Sequence, residues 1–201
     1  MASEPHEYCV PHDQPLGWCE DPERCRAVMK GWGLYPDSLP DVMTAPMRVL
    51  TLRPPWGEAV TRGDDQTGKR TENRRERTHY RGLVAIHSGR TPDWDAPPRA
   101  WQAARLRTPW ELGITQKTWV ELYATGMVIS VAELTGCHYH LACPGEGTCS
   151  PWAISNPGTW HWELANVRPL PVPVPWTGRL GLLPIGGDAG NMVRAQLAHL
   201  P

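Results

Sequence analysis

Twenty-two prolines and nineteen glycines punctuate a chain of 201 residues. At that density no long helix persists, because an interior proline removes a backbone donor and clashes with the preceding turn. The chain is expected to be loop-rich, with short strands and a few short helices, rather than a helical bundle. Its aromatic set is one-sided, with eleven Trp, five Tyr and no Phe. Tryptophan must then fill core positions that phenylalanine usually takes, so a Trp here is weak evidence for a binding site. The hydrophobic share of 40% is enough for a real core, and the length suits one domain with attachments or two small domains.

Charge is nearly balanced overall, at −1, but unevenly placed. Residues 1–47 carry 3 basic and 8 acidic groups, residues 48–107 carry 13 and 7, and residues 108–201 carry 4 and 6. A basic centre between acidic flanks points to a localised anion site, or to a solvated face of mixed charge. No run of about 18 apolar residues occurs, so no membrane span is expected. The acidic N-terminus lacks the apolar core of a secretory signal. A reducing, cytoplasmic setting follows, in which cysteines favour metal over disulfides.

The six cysteines fall into two matching clusters. Cys9, His12, Cys19 and Cys25 form the first; Cys137, His140, Cys143 and Cys149 form the second. Each reads C-x2-H followed by C-x5-C, and each supplies the Cys3His shell of a closed tetrahedral zinc site. Two structural zinc ions are therefore expected. His138 competes with His140 in the second cluster. A metal would also explain how an acidic module over residues 1–46 folds at all, since segments this small usually need a staple.

Downstream, residues 49–52 read as a strand. Pro55 opens a helix that carries Trp56, Ala59 and Val60 on one face and closes near Gly63. Residues 69–74 form a strand or its mouth, and residues 82–87 a buried strand. Helical patterns follow near residues 99–106 and 116–123. Residues 127–134 read as a strand, residues 136–150 as a Cys/His-rich insertion, and residues 160–167 as a strand of clean alternation. The last strand covers residues 180–185, and residues 186–201 are a tail or short helix. Short strands with a few helices imply α+β architecture, a small barrel with appended helices spanning residues 47–185.

Five blocks, LTLRPPWGEAV, KRTENR, RGLVAIHSG, SPWAISNPGTWHWELANVRPL and GRLGLLPI, resemble in order and character those of ASCH domains. The family signature is G-x-K-x-x-E-x-R. Lys69, Glu72 and Arg74 match it, and Thr67 stands where the glycine should be. The resemblance implies a PUA-like barrel whose signature lines a charged cleft that handles RNA or modified nucleobases. One branch of the family hydrolyses acylated cytidines.

The residues themselves suit such chemistry. In a regular strand Lys69, Thr71 and Asn73 share one face and Arg70, Glu72 and Arg74 the other. Lys69 and Glu72 can face one cleft only if Lys69 precedes the strand or a bulge intervenes. Arg53, Lys69, Arg74 and Arg81 are candidate phosphate contacts. Glu72 either accepts from a base amino group or holds Arg74. Trp56 either stacks on a base or belongs to the core. His87, ending a buried strand, reads as a satisfied core histidine. The leading function is binding of RNA, DNA or a modified nucleobase. An alternative is amidohydrolysis of an acylated cytidine-type nucleoside by Lys69 and Glu72, although the hydrolases have the pattern K-x-x-T where this chain has Glu72. A third reading is a zinc-stabilised protein-interaction module.

Overall fold

The computed structural model describes residues 8–9, 14–15, 45–62, 67–123, 125–143 and 148–198, without the side chains of residues 8, 9, 14, 15, 116, 121 and 122. Most of the expected N-terminal module lies outside the described residues, including His12, Cys19, Cys25 and the Cys9 side chain. From that region, β1 (Tyr8–Cys9) pairs antiparallel with β2 (Gln14–Pro15).

The remaining elements confirm an α+β chain. They run β3 (Met47–Leu52), α1 (Trp56–Arg62), β4 (Thr71–Arg74), β5 (Gly82–Ser88), α2 (Pro98–Ala103), α3 (Pro109–Leu112), α4 (Gln116–Leu122), β6 (Met127–Tyr139), β7 (Trp160–Pro175), β8 (Leu182–Pro184) and α5 (Gly187–Leu197). Six strands form one mixed sheet in the order β4-β7-β6-β5-β3-β8. No pairing among the described residues joins β4 to β8, so the sheet is open where a closed barrel was expected. No helix among the described residues is long and apolar enough to cross a membrane.

The chain divides into two compact units. The first comprises Met1–Asp41, Thr71–Gly82 and Leu134–Leu164; the second comprises Val42–Arg70, Leu83–Glu133 and Ala165–Pro201. The stretch expected to be a single barrel thus contributes to both, and β6 and β7 each run through both.

The second unit holds the hydrophobic core. β3 lies parallel to β5, from Met47↔Leu83 to Leu52↔Ser88, and antiparallel to β8. Parallel neighbours need a long crossover, which residues 53–81 supply. Met47, Val49, Leu83 and Ala85 alternate onto one face and pack with Val128, Val131, Leu170 and Val174. α5 closes this cluster with Val193 and Leu197. Its Arg194 donates to the Ala45 carbonyl, and its Gln196 amide serves both the N–H and the C=O of Val172. Trp101 and Trp119 are fully buried and meet edge to face at 5.4 Å. Trp119 stacks on Tyr123 at 4.1 Å. Tryptophan does take the core positions left open by the missing phenylalanine, where truncation to alanine typically costs about 3–5 kcal/mol.

α3 was not expected from the sequence. Four residues are too few to show periodicity, but Thr108 and Glu111 build a capping box around Pro109, and Gly113 ends the turn at φ 61°.

In the first unit β4 pairs antiparallel with the start of β7, from Thr71↔Glu163 to Arg74↔Trp160. Side chains alternate across these strands. Asn73, His161 and Glu163 share one face. Glu72, Arg74, Trp160 and Trp162 share the other.

Candidate metal centre

His138, one residue before the end of β6, and His161, the second residue of β7, face each other at 5.1 Å between ring centroids. Cys143 follows a 3-10 turn, His140–Ala142, that ends β6, and Cys149 lies further along the same connection. All four belong to the first unit. One ligand atom from each can be chosen so that all lie within 4.8 Å of one another, with both histidines buried and both cysteines half-buried.

The separations fit one ion. Cys143 Sγ is 3.6 Å from His138 Nε2 and 3.3 Å from His161 Nδ1. Cys149 Sγ is 3.3 Å from His161 Nδ1, and the two ring nitrogens are 3.3 Å apart. Around a tetrahedral ion with bonds of about 2.0–2.3 Å, neighbouring ligand atoms stand roughly 3.3–3.8 Å apart. The four donors therefore form a group that could hold a metal ion.

The outer contacts orient the donors. His138 Nδ1 lies 2.8 Å from Glu163 Oε1, and His161 Nε2 lies 3.1 Å from the Ile154 carbonyl oxygen. A carbonyl can only accept, so His161 carries its proton on Nε2 and presents a lone pair at Nδ1. The carboxylate selects the tautomer of His138 in the same way, leaving Nε2 for the ion. Metal-ligating histidines characteristically have such partners on the far nitrogen. Burial lowers the pKa of His161, against the hydrogen bond to the Ile154 carbonyl, and so favours the neutral ring that a ligand must be. Burial and the neighbouring Cys143 thiol push Cys149 up to about 12. Thiolates at this position would therefore need a cation to compensate them.

Of the second cluster expected from spacing, Cys143 and Cys149 join the group, while Cys137 and His140 do not. The cause is strand alternation: β6 continues through Tyr139, so Cys137 and His138 point to opposite faces. Cys137 is buried on the other face with its thiol pushed up by burial, beside the charges of Arg81 and Arg77. His140 sits in the 3-10 turn, its ring 4.5 Å from that of Tyr139. His138, the competing ligand, takes the position, and His161 enters from a strand that spacing within the cluster could not reach. Its signal was the alternation of β7, which sets His161 opposite Trp160 and Trp162. Among the described residues Cys137, Cys143 and Cys149 form no disulfide.

The candidate nucleic-acid residues divide between the units. In the second, Arg53 donates to the Pro92 carbonyl at 2.6 Å and pairs with Asp93 at 3.5 Å. The Trp56 indole donates to the same Asp93 at 2.8 Å, and Lys69, buried, stands 5.7 Å from the centroid of its ring. Lys69 precedes β4, the loop placement of the two that the signature allowed. In the first unit Glu72 holds Arg74 at 3.0 Å, and Arg81 donates to the Thr78 and Tyr80 carbonyls. Arg74 lies 5.8 Å over the Trp162 ring and Arg77 5.3 Å over Trp160.

His87 is a core histidine: Nε2 donates to the Trp176 carbonyl at 3.1 Å, and Nδ1, 3.2 Å away, accepts from the Thr51 hydroxyl. No family model matches this chain, and no curated protein matches it.

Proposed function

We propose that this chain is a nucleic-acid-binding protein, with RNA as its ligand, whose first unit is fastened by a structural zinc ion at His138, Cys143, Cys149 and His161. The observation that carries the reading is the donor set itself: two sulfurs and two imidazole nitrogens all within 4.8 Å of one another, His161 Nδ1 standing 3.3 Å from each of the other three donors. That combination favours zinc over the hard, oxygen-seeking divalent ions. Four protein ligands leave no open position, so the ion is structural. It ties the end of β6 to the start of β7 across a connection with little regular structure of its own.

The nucleic-acid part draws on other features. On the face of β4 and β7 away from the metal, Arg74 lies over the Trp162 ring, and Arg77, beyond the end of β4, lies over the Trp160 ring, a pairing of cation and ring that suits a nucleic-acid strand. The basic balance of residues 48–107 points the same way, as do the five ASCH-like blocks. A PUA-like arrangement belongs to this proposal, with the open sheet as its central piece.

The test is a fluorescence titration of the metal-loaded full chain with short single-stranded and duplex RNA and DNA at two salt concentrations. Binding should weaken with salt, log K falling by about 0.7–0.9 per phosphate neutralised. Arg77→Gln should flatten that slope by about one phosphate. Trp160→Ala should cost about 1–3 kcal/mol if the ring stacks on a base. If that ring only supports the fold, its loss will lower the melting temperature and leave the affinity of the folded protein unchanged. Binding to none of these nucleic acids by a folded, metal-loaded protein would contradict the proposal.

A further inference from the structure

Within the second unit, three segments meet where β5 ends, β6 begins and β7 ends. Gly126 joins them: its N–H donates to the Ser88 carbonyl at 2.7 Å, and its carbonyl accepts from the Trp176 N–H at 3.0 Å. Gly126 has φ +72°, and a Cβ there would stand 3.1 Å from Arg90 Nε and 3.5 Å from Arg90 Cγ. The Arg90 stem therefore lies flat on the glycine, which fixes where its guanidinium begins.

These segments, with β8, line an open cavity of about 590 Å³ bordered by Arg90, Arg179, Thr125, Thr177, Trp176 and Met127 among others. Among the described residues no Asp or Glu lines it. Neither Arg90 nor Arg179 has a hydrogen bond or ion pair among the described residues. Thr125 is buried, with its hydroxyl oxygen closed to solvent and without a partner among the described residues. His87 behind Trp176 adds no charge: burial lowers its pKa, and both ring nitrogens are engaged.

We infer that this cavity binds a nucleoside monophosphate group, either as a free nucleotide or as the phosphorylated end of an RNA chain. Arg90 and Arg179 supply unopposed donors for the phosphate, guanidinium being suited to bidentate contact with its oxygens. Trp176 offers a flat apolar wall for a base. The volume falls within the range of small-ligand sites. This site uses no residue of the metal centre, so either reading can fail while the other stands.

The experiment is isothermal titration of the full, metal-loaded chain with adenosine and cytidine 5′-monophosphates, the matching nucleosides, inorganic phosphate and a 5′-phosphorylated trinucleotide RNA. Each monophosphate should bind at least tenfold more tightly than its nucleoside and more tightly than inorganic phosphate. Arg90→Gln and Arg179→Gln should each weaken it roughly 10–100-fold, the usual effect of losing a charged hydrogen bond, at an unchanged melting temperature. A trinucleotide that binds more tightly than the monophosphates assigns the site to chain ends; weaker binding assigns it to free nucleotides. The comparison of monophosphate with nucleoside needs no variant and stands even if a variant fails to fold. Absence of monophosphate binding at millimolar concentration, nucleoside binding of equal strength, or arginine variants of undiminished affinity would each overturn the assignment.

Discussion

One carboxylate, Glu163, governs how well His138 can serve a metal. Its oxygen holds His138 Nδ1 at 2.8 Å. Glu163→Gln keeps the shape but removes the charge that makes the ring a better donor. Outer-shell losses of this kind typically cost 10–100-fold in metal affinity. Competition with a chromophoric chelator should show that loss; unchanged affinity would mean that Glu163 does not act through His138. A buried carboxylate, Glu58, controls a different property. Ser88 donates to it at 2.5 Å, but burial dominates and raises its pKa above the ordinary 4.5. The folded chain thus keeps a proton that the unfolded chain releases above about pH 4.5, so stability falls as pH rises from there through the folded-state value. Glu58→Gln keeps an acceptor for Ser88 and abolishes the titration. Calorimetry should find the variant more stable than the parent at pH 8, with the gap closing below pH 4.5. A gap independent of pH would refute this account.

The elements show where the sequence was legible and where it stopped being so. β3, α1 and β5 follow directly from their apolar spacing. β6 and β7 were legible only in part, each running well beyond its expected end. In β6 the obstacle was Gly136, which reads as a breaker. It is glycine because a Cβ there would overlap the Glu163 carboxylate, a demand from the neighbouring strand that local sequence cannot reveal. In β7 the obstacle was Pro169, Pro171, Pro173 and Pro175. Spaced by two, they remove N–H groups from only one edge of a regular strand and so need not end it. The same extension of β6 decides the ligands, since it places His138 rather than Cys137 on the metal face. A consequence can be measured by hydrogen exchange. Chelation should raise exchange in the 3-10 turn His140–Ala142 and across residues 148–161, and leave β3 and β5 protected by their own core. Uniform loss of protection, or none, would argue against an ion confined to this connection.

At the scale of the whole molecule, one unit carries the candidate metal group and the other has its own hydrophobic core. The hydrolase alternative is expected to fail: Glu72 stands where the hydrolase pattern has Thr, and its carboxylate is engaged by Arg74. Incubation with N4-acetylcytidine should give no efficient turnover, followed by chromatography. Rapid hydrolysis lost in Lys69→Ala would reverse that conclusion. The central claim is the ligand set, and metal content per chain tests it most directly. Elemental analysis of protein purified without chelator should show that His161→Ala carries one zinc fewer than the parent. Cys137→Ala should carry the same amount as the parent. Any ion held by Cys9, His12, Cys19 and Cys25 cancels in both comparisons. A parent without metal, or zinc lost in Cys137→Ala and kept in His161→Ala, would contradict the account.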